Sequence, residues 1–348
     1  MINVRINASA EYEVLIGEGL LTDAGMYINR AVPDAKTLAV ISDSNVYPIY
    51  GARVEASLKD AGYDVITHVI KAGEEHKNLE TYGEILSVLS ENRLGRNDAV
   101  IALGGGVGGD LAGFAAATYM RGIRYVQIPT TLLAAVDSPV GGKTAIDLPA
   151  GKNLAGAFHQ PSLVLCDTET LETLTFDTFR DGCAEVIKYA VLADEEMFES
   201  LMEVMVEEKI EDVIAACVSM KRDFVMADEF DRGQRMLLNL GHTLGHAVEK
   251  LSDYGMSHGK AVSIGMNMIA RAAMRHGFCT DYVPYMIERI CEQYSLPTET
   301  DFAANEIAKA ALTDKKATGD SISLVVPEEI GRCRIIKVKL EDLEKWCV

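Results

Sequence analysis

The chain has 348 residues, of which 48% are hydrophobic, and a formal net charge of −19 at pH 7. Its length exceeds that of a typical single domain and predicts two domains with sizeable cores. The negative charge disfavours nucleic acid and anionic membranes as partners, and no apolar run approaches the roughly 20 residues that span a bilayer.

The first half of the chain carries a strand-and-helix alternation. Its first residues alternate apolar and polar side chains, as a β-strand does. Runs rich in Val, Ile and Leu follow at residues 37–41, 65–69, 99–103, 125–128 and 163–165. Strands that alternate with helical stretches predict an α/β domain with a mainly parallel sheet, which we place at residues 1–173.

The second half has a different pattern. Residues 198–218 and 240–250 carry apolar side chains at the 3.6-residue period of helices, and strand signals fade. We therefore predict a mainly α-helical C-terminal domain over residues 174–348.

The cysteines and the N-terminal residues indicate the cellular compartment of the protein. The seven cysteines are scattered and contain no Cys-x-x-Cys pair, which suits a reducing compartment and argues against a cysteine metal site. The first residues lack the continuous apolar region of a signal peptide. A cytoplasmic location is expected.

A glycine-rich segment, GGGVGGD at residues 104–110, follows the apolar run 99–103 and precedes a helix-compatible stretch. This order is typical of a diphosphate site, because glycines allow close approach and the first N–H groups of a helix attract negative charge. Gly104, Gly106 and Gly109 match G-x-G-x-x-G, which alone is weak evidence. The pattern favours dinucleotide binding, with a tight structural turn as the alternative.

Two lysines, Lys143 and Lys152, follow glycines in segments that read as flexible turns. Lys143 lies in GGKT, which resembles the end of the P-loop motif G-x-x-x-x-G-K-[ST] that binds nucleoside triphosphates. Asp137 occupies the position of the first glycine of that motif. An ATPase is therefore rejected. In so acidic a chain we favour anion binding by both lysines over simple solvation.

Three of the seven histidines, His242, His246 and His258, fall within 17 residues. His242 and His246 are spaced i, i+4, so a helix puts both on one face. Two imidazoles and a carboxylate suit a catalytic Zn²⁺ site with one open position. Thr243 stands where a zinc protease needs glutamate, which disfavours that class. Spacing leaves the carboxylate open among three residues: Glu185, Glu249 and Asp253. A helical pair of histidines without a metal is the alternative.

The sequence closely resembles the 3-dehydroquinate synthase family of sugar phosphate cyclases over roughly residues 36–335. The resemblance rests on motifs in matching order and spacing: GGGVGGDLAGF (104–114), YMRGI (119–123), PTTLLA (129–134), VDS (136–138), GGKT (141–144), GKN (151–153), AEVIK (184–188), LNLGH (238–242), GHA (245–247) and HG (258–259). Departures from the usual family residues are Pro139, Asp147, Phe176 and Lys260, none with an assigned chemical role.

The resemblance implies an NAD- and Zn- or Co-dependent lyase, a homodimer, that converts 3-deoxy-D-arabino-heptulosonate 7-phosphate into 3-dehydroquinate and phosphate. It makes residues 1–173 a dinucleotide-binding domain and residues 174–348 a metal- and substrate-binding domain. The alternatives are a cyclase for a sugar phosphate without a carboxylate, an NAD- and metal-dependent polyol dehydrogenase, and a non-catalytic metal-binding protein.

The resemblance also assigns residues. It assigns Glu185, His242 and His258 as metal ligands and His246 as the residue that transfers a proton. It gives NAD to Asp43, Asn45, Ala72, Gly73, Glu74, Glu75, His76, Lys77, Gly106, Val107, Gly108, Gly109, Asp110, Thr130, Thr131, Lys143, Lys152, Thr170, Leu171, Glu172 and Thr173. It gives the substrate to Arg121, Asp137, Lys143, Asn153, Lys188, Lys221, Arg235, Asn239, His246 and Lys316, with Lys315 as the alternative to Lys316.

Within this set, Lys221 and Arg235 are expected to bind the substrate carboxylate, because arginine offers a planar fork and lysine a compact second charge. The alternative is that they pair with nearby acids on a solvated surface. Arg121 is expected to reach the phosphate from a neighbouring subunit.

Overall fold

The computed structural model describes residues 1–253, 255–312, 317–318 and 320–347. It divides into two compact units. The first comprises Met1–Leu174 and Ile214–Phe230, and the second Thr175–Val213 and Asp231–Val348. Ile214–Phe230 therefore groups with the first unit although it follows residue 174 in the chain.

The first unit is an α/β structure. Its strands are β1 (Ile2–Asn7), β2 (Glu11–Gly17), β3 (Thr37–Asp43), β4 (Asp64–Ile70), β5 (Ala99–Gly104), β6 (Arg124–Pro129), β7 (Lys143–Leu148), β8 (Gly151–Phe158) and β9 (Leu163–Asp167). Its helices are α1 (Ala24–Ala31), α2 (Ala52–Asp60), α3 (Leu79–Glu91), α4 (Gly106–Thr118) and α5 (Leu132–Val136).

Seven of these strands form one sheet in the order β1-β2-β9-β6-β5-β3-β4. Only the β1–β2 pair is antiparallel; every other neighbouring pair is parallel. Helices cover both faces, so the interior strand β5 is buried throughout and its sequence is continuously apolar. The five predicted apolar runs all lie on strands, which confirms the predicted fold class.

The second unit is mainly helical. Its helices are α6 (Phe176–Ala193), α7 (Glu195–Glu203), α8 (Ile210–Ala227, which continues into the first unit), α9 (His242–Leu251), α10 (His258–Arg275), α11 (Tyr282–Gln293) and α12 (Ala304–Ala311). Its strands are β10 (Ala317–Thr318), β11 (Ser321–Glu329) and β12 (Arg332–Lys339), which form an antiparallel sheet. No helix in the described ranges is long and apolar enough to span a membrane.

Two local expectations differ from the structure. The helical period predicted across residues 198–218 is divided between α7 and α8 by the segment 204–209. The β11–β12 pair was not predicted, although its apolar residues alternate and Gly331, at φ 81°, supplies the turn. Helical periodicity dominates the rest of this half, and it does not extend to a short terminal hairpin.

Candidate active site

Most of the predicted dinucleotide residues lie at one edge of the seven-stranded sheet. They follow the carboxyl ends of five parallel strands: Asp43 and Asn45 after β3, residues 72–77 after β4, 104–110 after β5, 130–131 after β6 and 170–173 after β9. Parallel strands bring these ends to the same edge. The direction in which successive strands are added to the sheet also changes between β3 and β5. Open α/β sheets bind ligands at such a switch point.

The start of α4 provides the local chemistry. Helix α4 begins at Gly106, directly after β5, and no side chain in the described residues caps its first turn. The first N–H groups of a helix lack partners within the helix and carry its positive dipole end. A Cβ atom on Gly106 would lie 3.3 Å from Ser138 Oγ, whereas one on Gly108 would meet nothing within 4 Å. The residues present therefore fit a diphosphate.

Beside this turn lies a buried hydroxyl. Thr130, at the end of β6, is 2% exposed, and its Oγ1 has no hydrogen-bond partner among the described residues. Leaving a buried hydroxyl unpaired costs about 1–3 kcal/mol. A polar ligand group would remove that cost.

Lys77 joins three segments of the first unit. Its Nζ atom is buried and donates to Asp110 Oδ2 at 2.5 Å and to Asn153 Oδ1 at 2.7 Å. Burial alone would lower the pKa of Lys77, but the negative charges of Asp110 and Glu74 raise it. The amide N–H of Asn153 donates to Asp147 Oδ1 at 2.7 Å. The lysine thus stays charged and fixes two of the predicted site residues.

Lys143 and Lys152 are not in flexible turns, contrary to the prediction. Lys143 is the first residue of β7 and Lys152 lies in β8, and the two strands form an antiparallel hairpin. Lys143 pairs with Phe158 at one end, whereas Gly151 pairs with Leu148 at the other. The two lysines therefore lie several residues apart along the hairpin and face different partners. Lys152 Nζ lies 3.5 Å from Glu74 Oε1, and Lys143 is exposed.

Asp137 and Lys221 form an ion pair in the first unit. Lys221 Nζ lies 3.1 Å from Asp137 Oδ1 and also donates to the Asp137 carbonyl at 2.5 Å. Lys221 is only 6% exposed, so it is not a solvated surface charge. The pair joins α8 to the residue after α5, and both of its residues belong to the first unit.

Arg121 lies on an exposed turn of unusual backbone. Met120, Arg121 and Gly122 have φ values of 51°, 69° and 116°, and the first two are in a region that non-glycine residues rarely adopt. Such a conformation costs of order 1–3 kcal/mol per residue. Arg121 is exposed.

Helices α6, α9 and α10 of the second unit bring three predicted metal ligands together. The Nε2 atoms of His242 and His258 each lie 3.3 Å from the same oxygen, Glu185 Oε1. One ligand atom from each residue lies within 4.8 Å of the others. Glu185 is 1% exposed and also contacts Lys188 Nζ. Asp253, a carboxylate that spacing had left open, belongs to no such group in the described residues.

Hydrogen bonding orients the first imidazole. His242 Nδ1 lies 3.0 Å from the Leu240 carbonyl oxygen, which assigns its proton to Nδ1. Its Nε2 lone pair then faces the Glu185 carboxylate at 3.3 Å. Two acceptors directed at each other are stabilised by a cation between them. The donor set of two imidazoles and one carboxylate therefore fits Zn²⁺ or Co²⁺.

Burial and neighbouring charges shift the pKa values of all three residues, in different directions. Burial lowers the pKa of His242 to about 4, although Glu185 opposes the shift. Burial also acts to lower the pKa of His258, but hydrogen bonds and charges from Glu185 and Glu249 raise it to about 10. Burial acts to raise the pKa of Glu185, whereas Lys188 and His242 hold it well below its ordinary value.

Glycines allow α9 and α10 to approach closely enough for this cluster. A Cβ atom on Gly265 would lie 2.0 Å from the Gly241 carbonyl oxygen and 2.7 Å from the Gly245 amide nitrogen. A Cβ atom on Gly245 would lie 2.8 Å from the Ala261 carbonyl oxygen. The ring centroids of His242 and His258 consequently lie 5.2 Å apart, and that of His246 lies 5.4 and 5.9 Å from them.

Gly265→Ala is therefore expected to lower the free energy of unfolding by about 1–3 kcal/mol, because the new methyl group must displace backbone atoms of α9. Gly83→Ala is the matched control. Gly83 lies inside α3, where an added Cβ atom would meet nothing within 4 Å, so alanine should stabilise by roughly 0.5–1 kcal/mol. Urea unfolding measures both, and a Gly265→Ala protein as stable as the unmodified chain would contradict the packing argument.

The remaining predicted substrate residues lie near the start of α9 or outside the described chain. Arg235 and Asn239 are on the 3-10 helix Gln234–Asn239, and Arg235 is 1% exposed. Asn239 donates to the Met236 carbonyl at 3.0 Å. Lys315 and Lys316 lie outside the described residues. Together, a dinucleotide-binding sheet and a histidine–carboxylate cluster are typical of an NAD- and metal-dependent enzyme.

Comparison with known proteins agrees with this class. Residues 67–181 match the family described as 3-dehydroquinate synthase N-terminal, and residues 182–317 match 3-dehydroquinate synthase C-terminal. The 3-dehydroquinate synthase of Clostridium acetobutylicum is 44% identical over 341 residues, which covers 96% of each chain. The chain belongs to the 3-dehydroquinate synthase family, as predicted.

Two solved structures share the fold at higher divergence. A 2-deoxy-scyllo-inosose synthase complexed with carbaglucose-6-phosphate, NAD⁺ and Co²⁺ is 25% identical, with a TM-score of 0.87 over 99% of this chain and 100% of the other. The 2-epi-5-epi-valiolone synthase of Streptomyces hygroscopicus, with NAD⁺ and Zn²⁺ bound, is 27% identical, with a TM-score of 0.88 over 99% and 97%.

Proposed function

We propose that this chain converts 3-deoxy-D-arabino-heptulosonate 7-phosphate into 3-dehydroquinate and phosphate, with NAD⁺ and a divalent metal ion as cofactors. One observation carries the proposal: in a chain of this family, the ligand atoms of Glu185, His242 and His258 converge to within 4.8 Å. When bound, NAD⁺ accepts and returns a hydride and the metal ion acts as a Lewis acid toward the substrate hydroxyl.

The residues of the second unit hold and polarise the reacting part of the substrate. Glu185, His242 and His258 form the metal site, and the buried Lys188 adds a positive charge beside Glu185. Such a charge, held in a poorly hydrated place, stabilises negative charge that develops on substrate oxygen. His246 shares a helix face with His242, and imidazole is the side chain most often used for proton transfer in catalysis.

The residues of the first unit hold the cofactor and the phosphate. The turn at 104–110 and the buried Lys77–Asp110 pair bind NAD⁺. The exposed Lys143, with Asn153, binds the anionic end of the substrate. Lys152, Thr131 and residues 170–173 complete the cofactor contacts.

We also propose a homodimer in the cytoplasm. The homodimer is supported by the exposed, strained turn at Met120–Gly122, which presents Arg121 for the contact with a neighbouring subunit's phosphate site that the family resemblance implies. The seven free cysteines support the cytoplasmic location. Sedimentation of the full chain measures the oligomeric state. An Arg121→Ala protein that sediments as the unmodified chain does but turns over more slowly would show that Arg121 acts in catalysis and not in assembly.

The cofactor is expected to be recycled. Phosphate elimination needs a transient ketone that the product does not keep at that carbon, so the hydride must return. With one equivalent of NAD⁺ per chain, Co²⁺ or Zn²⁺ and excess substrate, many equivalents of phosphate and dehydroquinate should form while absorbance at the NADH band stays constant. NADH that accumulates in step with product would instead indicate a polyol dehydrogenase.

A further inference from the structure

We propose that Glu249 is a positioning residue for the metal centre: it holds the Nδ1 proton of His258 and so directs the Nε2 lone pair of that histidine at the metal. The inference rests on the metal site proposed above. In this proposal Glu249 binds neither substrate nor metal directly.

The first support is the placement of His258 between two carboxylates. Its Nε2 lies 3.3 Å from Glu185 Oε1, and its Nδ1 lies 3.8 Å from Glu249 Oε2. The second distance is longer than a formed hydrogen bond and lies within the range of an ion pair. Each ring nitrogen thus faces a carboxylate of its own.

The second support is the parallel with the other imidazole. His242 directs Nδ1 at the Leu240 carbonyl oxygen, 3.0 Å away, and Nε2 at Glu185. A neutral imidazole carries one proton, so an acceptor at Nδ1 leaves Nε2 as the ligand atom. Histidines that bind metals almost always have such an outer acceptor. Glu249 provides an acceptor for Nδ1 of His258, as the Leu240 carbonyl oxygen does for Nδ1 of His242, and it adds a full negative charge.

The third support is the burial of Glu249. It lies on α9, seven residues after His242 on the same helix face, and is 5% exposed. Burying a carboxylate is costly unless a cation or hydrogen bonds compensate. A divalent metal and Lys188 together carry three positive charges, against two negative charges from Glu185 and Glu249. The second carboxylate therefore brings the buried cluster closer to neutrality.

A competing arrangement uses Glu249 as a ligand. Ligand atoms of His246, Glu249 and His258 also lie within 4.8 Å of one another. In that arrangement the metal would leave Glu185, although Glu185 Oε1 is the atom on which two imidazole nitrogens converge at 3.3 Å. The experiment distinguishes the two arrangements.

The test is Co²⁺ binding to the full chain carrying Glu249→Gln, followed by the visible spectrum of the bound ion and by competition with a chelator. Affinity is expected to fall about 10- to 100-fold, the usual effect of removing an outer-shell partner, while one Co²⁺ per chain still binds. Saturating Co²⁺ should restore most of the turnover. Glu288→Gln, on the surface helix α11, is the matched control and should bind Co²⁺ as the unmodified protein does.

Three results would overturn the inference or its basis, and they can be told apart. Unchanged Co²⁺ affinity and spectrum in Glu249→Gln would show that Glu249 does not position His258. Loss of Co²⁺ as complete as in Glu185→Gln would make Glu249 a ligand. Tight Co²⁺ binding by Glu185→Gln would instead refute the proposed metal site itself. Should Glu249→Gln fail to fold, Glu249→Asp is measured instead, because it keeps the charge on a shorter side chain. Weaker Co²⁺ binding by Glu249→Asp would support the positioning role, and unchanged Co²⁺ binding would contradict it.

Discussion

His242→Ala is expected to bind the metal more than about 100-fold more weakly than the unmodified chain, because losing a direct ligand must cost more than losing an outer-shell partner. Turnover should fall with metal content. His246→Ala is the matched change on the same helix face, one turn further on. It should keep the metal and lose about 100- to 10,000-fold in turnover, the usual contribution of general acid–base catalysis.

Metal content after dialysis and phosphate release measure the two effects separately. A His246→Ala protein that loses metal as fully as His242→Ala would contradict the division between ligand and proton carrier. A His242→Ala protein that retains one tightly bound ion and full activity would remove His242 from the metal site.

Arg235→Ala is expected to weaken binding of the heptulosonate phosphate by about 2–5 kcal/mol, the cost of truncating one partner of a buried charge pair. Arg235 is 1% exposed, and Lys221 is 6% exposed, so neither lies on a solvated surface. The loss should appear mainly in KM. Arg235→Lys should recover only part of it, because lysine lacks the bidentate fork that matches a carboxylate.

Arg289→Ala, an exposed arginine on α11, is the control and should leave the kinetics unchanged. Glucose 6-phosphate, which has no carboxylate, should be a poor substrate for the unmodified enzyme. Equal turnover of the two sugars, or normal kinetics in Arg235→Ala, would indicate a cyclase that does not recognise a carboxylate. Thermal unfolding of each variant shows whether a lost activity reflects a lost fold.

The strands and helices of the sheet could be predicted because their signals are local. Each of the runs 37–41, 99–103 and 163–165 is apolar over the length of one strand, since both faces of a parallel sheet are covered. The glycines at 104–109 likewise predicted a helix start after a strand, and α4 begins at Gly106. Family membership followed from motifs whose order is also a property of the chain alone.

Local signals failed where strand pairing was the deciding factor. Lys143 and Lys152 follow glycines, which favoured turns, yet both lie on the β7–β8 hairpin. The register of that hairpin, from Lys143 opposite Phe158 to Leu148 opposite Gly151, joins residues that are not adjacent in sequence. Glycine content describes what a backbone can adopt, and hydrogen bonds to a partner strand decide what it does adopt.

The sequence by itself therefore determined the α/β and helical halves, the glycine turn and the pair of histidines at i, i+4. Spacing left the carboxylate open among Glu185, Glu249 and Asp253, and the family resemblance implied Glu185. The tertiary structure places Glu185 Oε1 3.3 Å from both imidazoles, although Glu185 lies 73 residues before His258 and no periodicity reaches that far. The close packing of α9 against α10 through glycine brings the rings of His242 and His258 together beside that carboxylate. Close packing and the cost of burying charge act between distant segments, and a linear pattern does not record them.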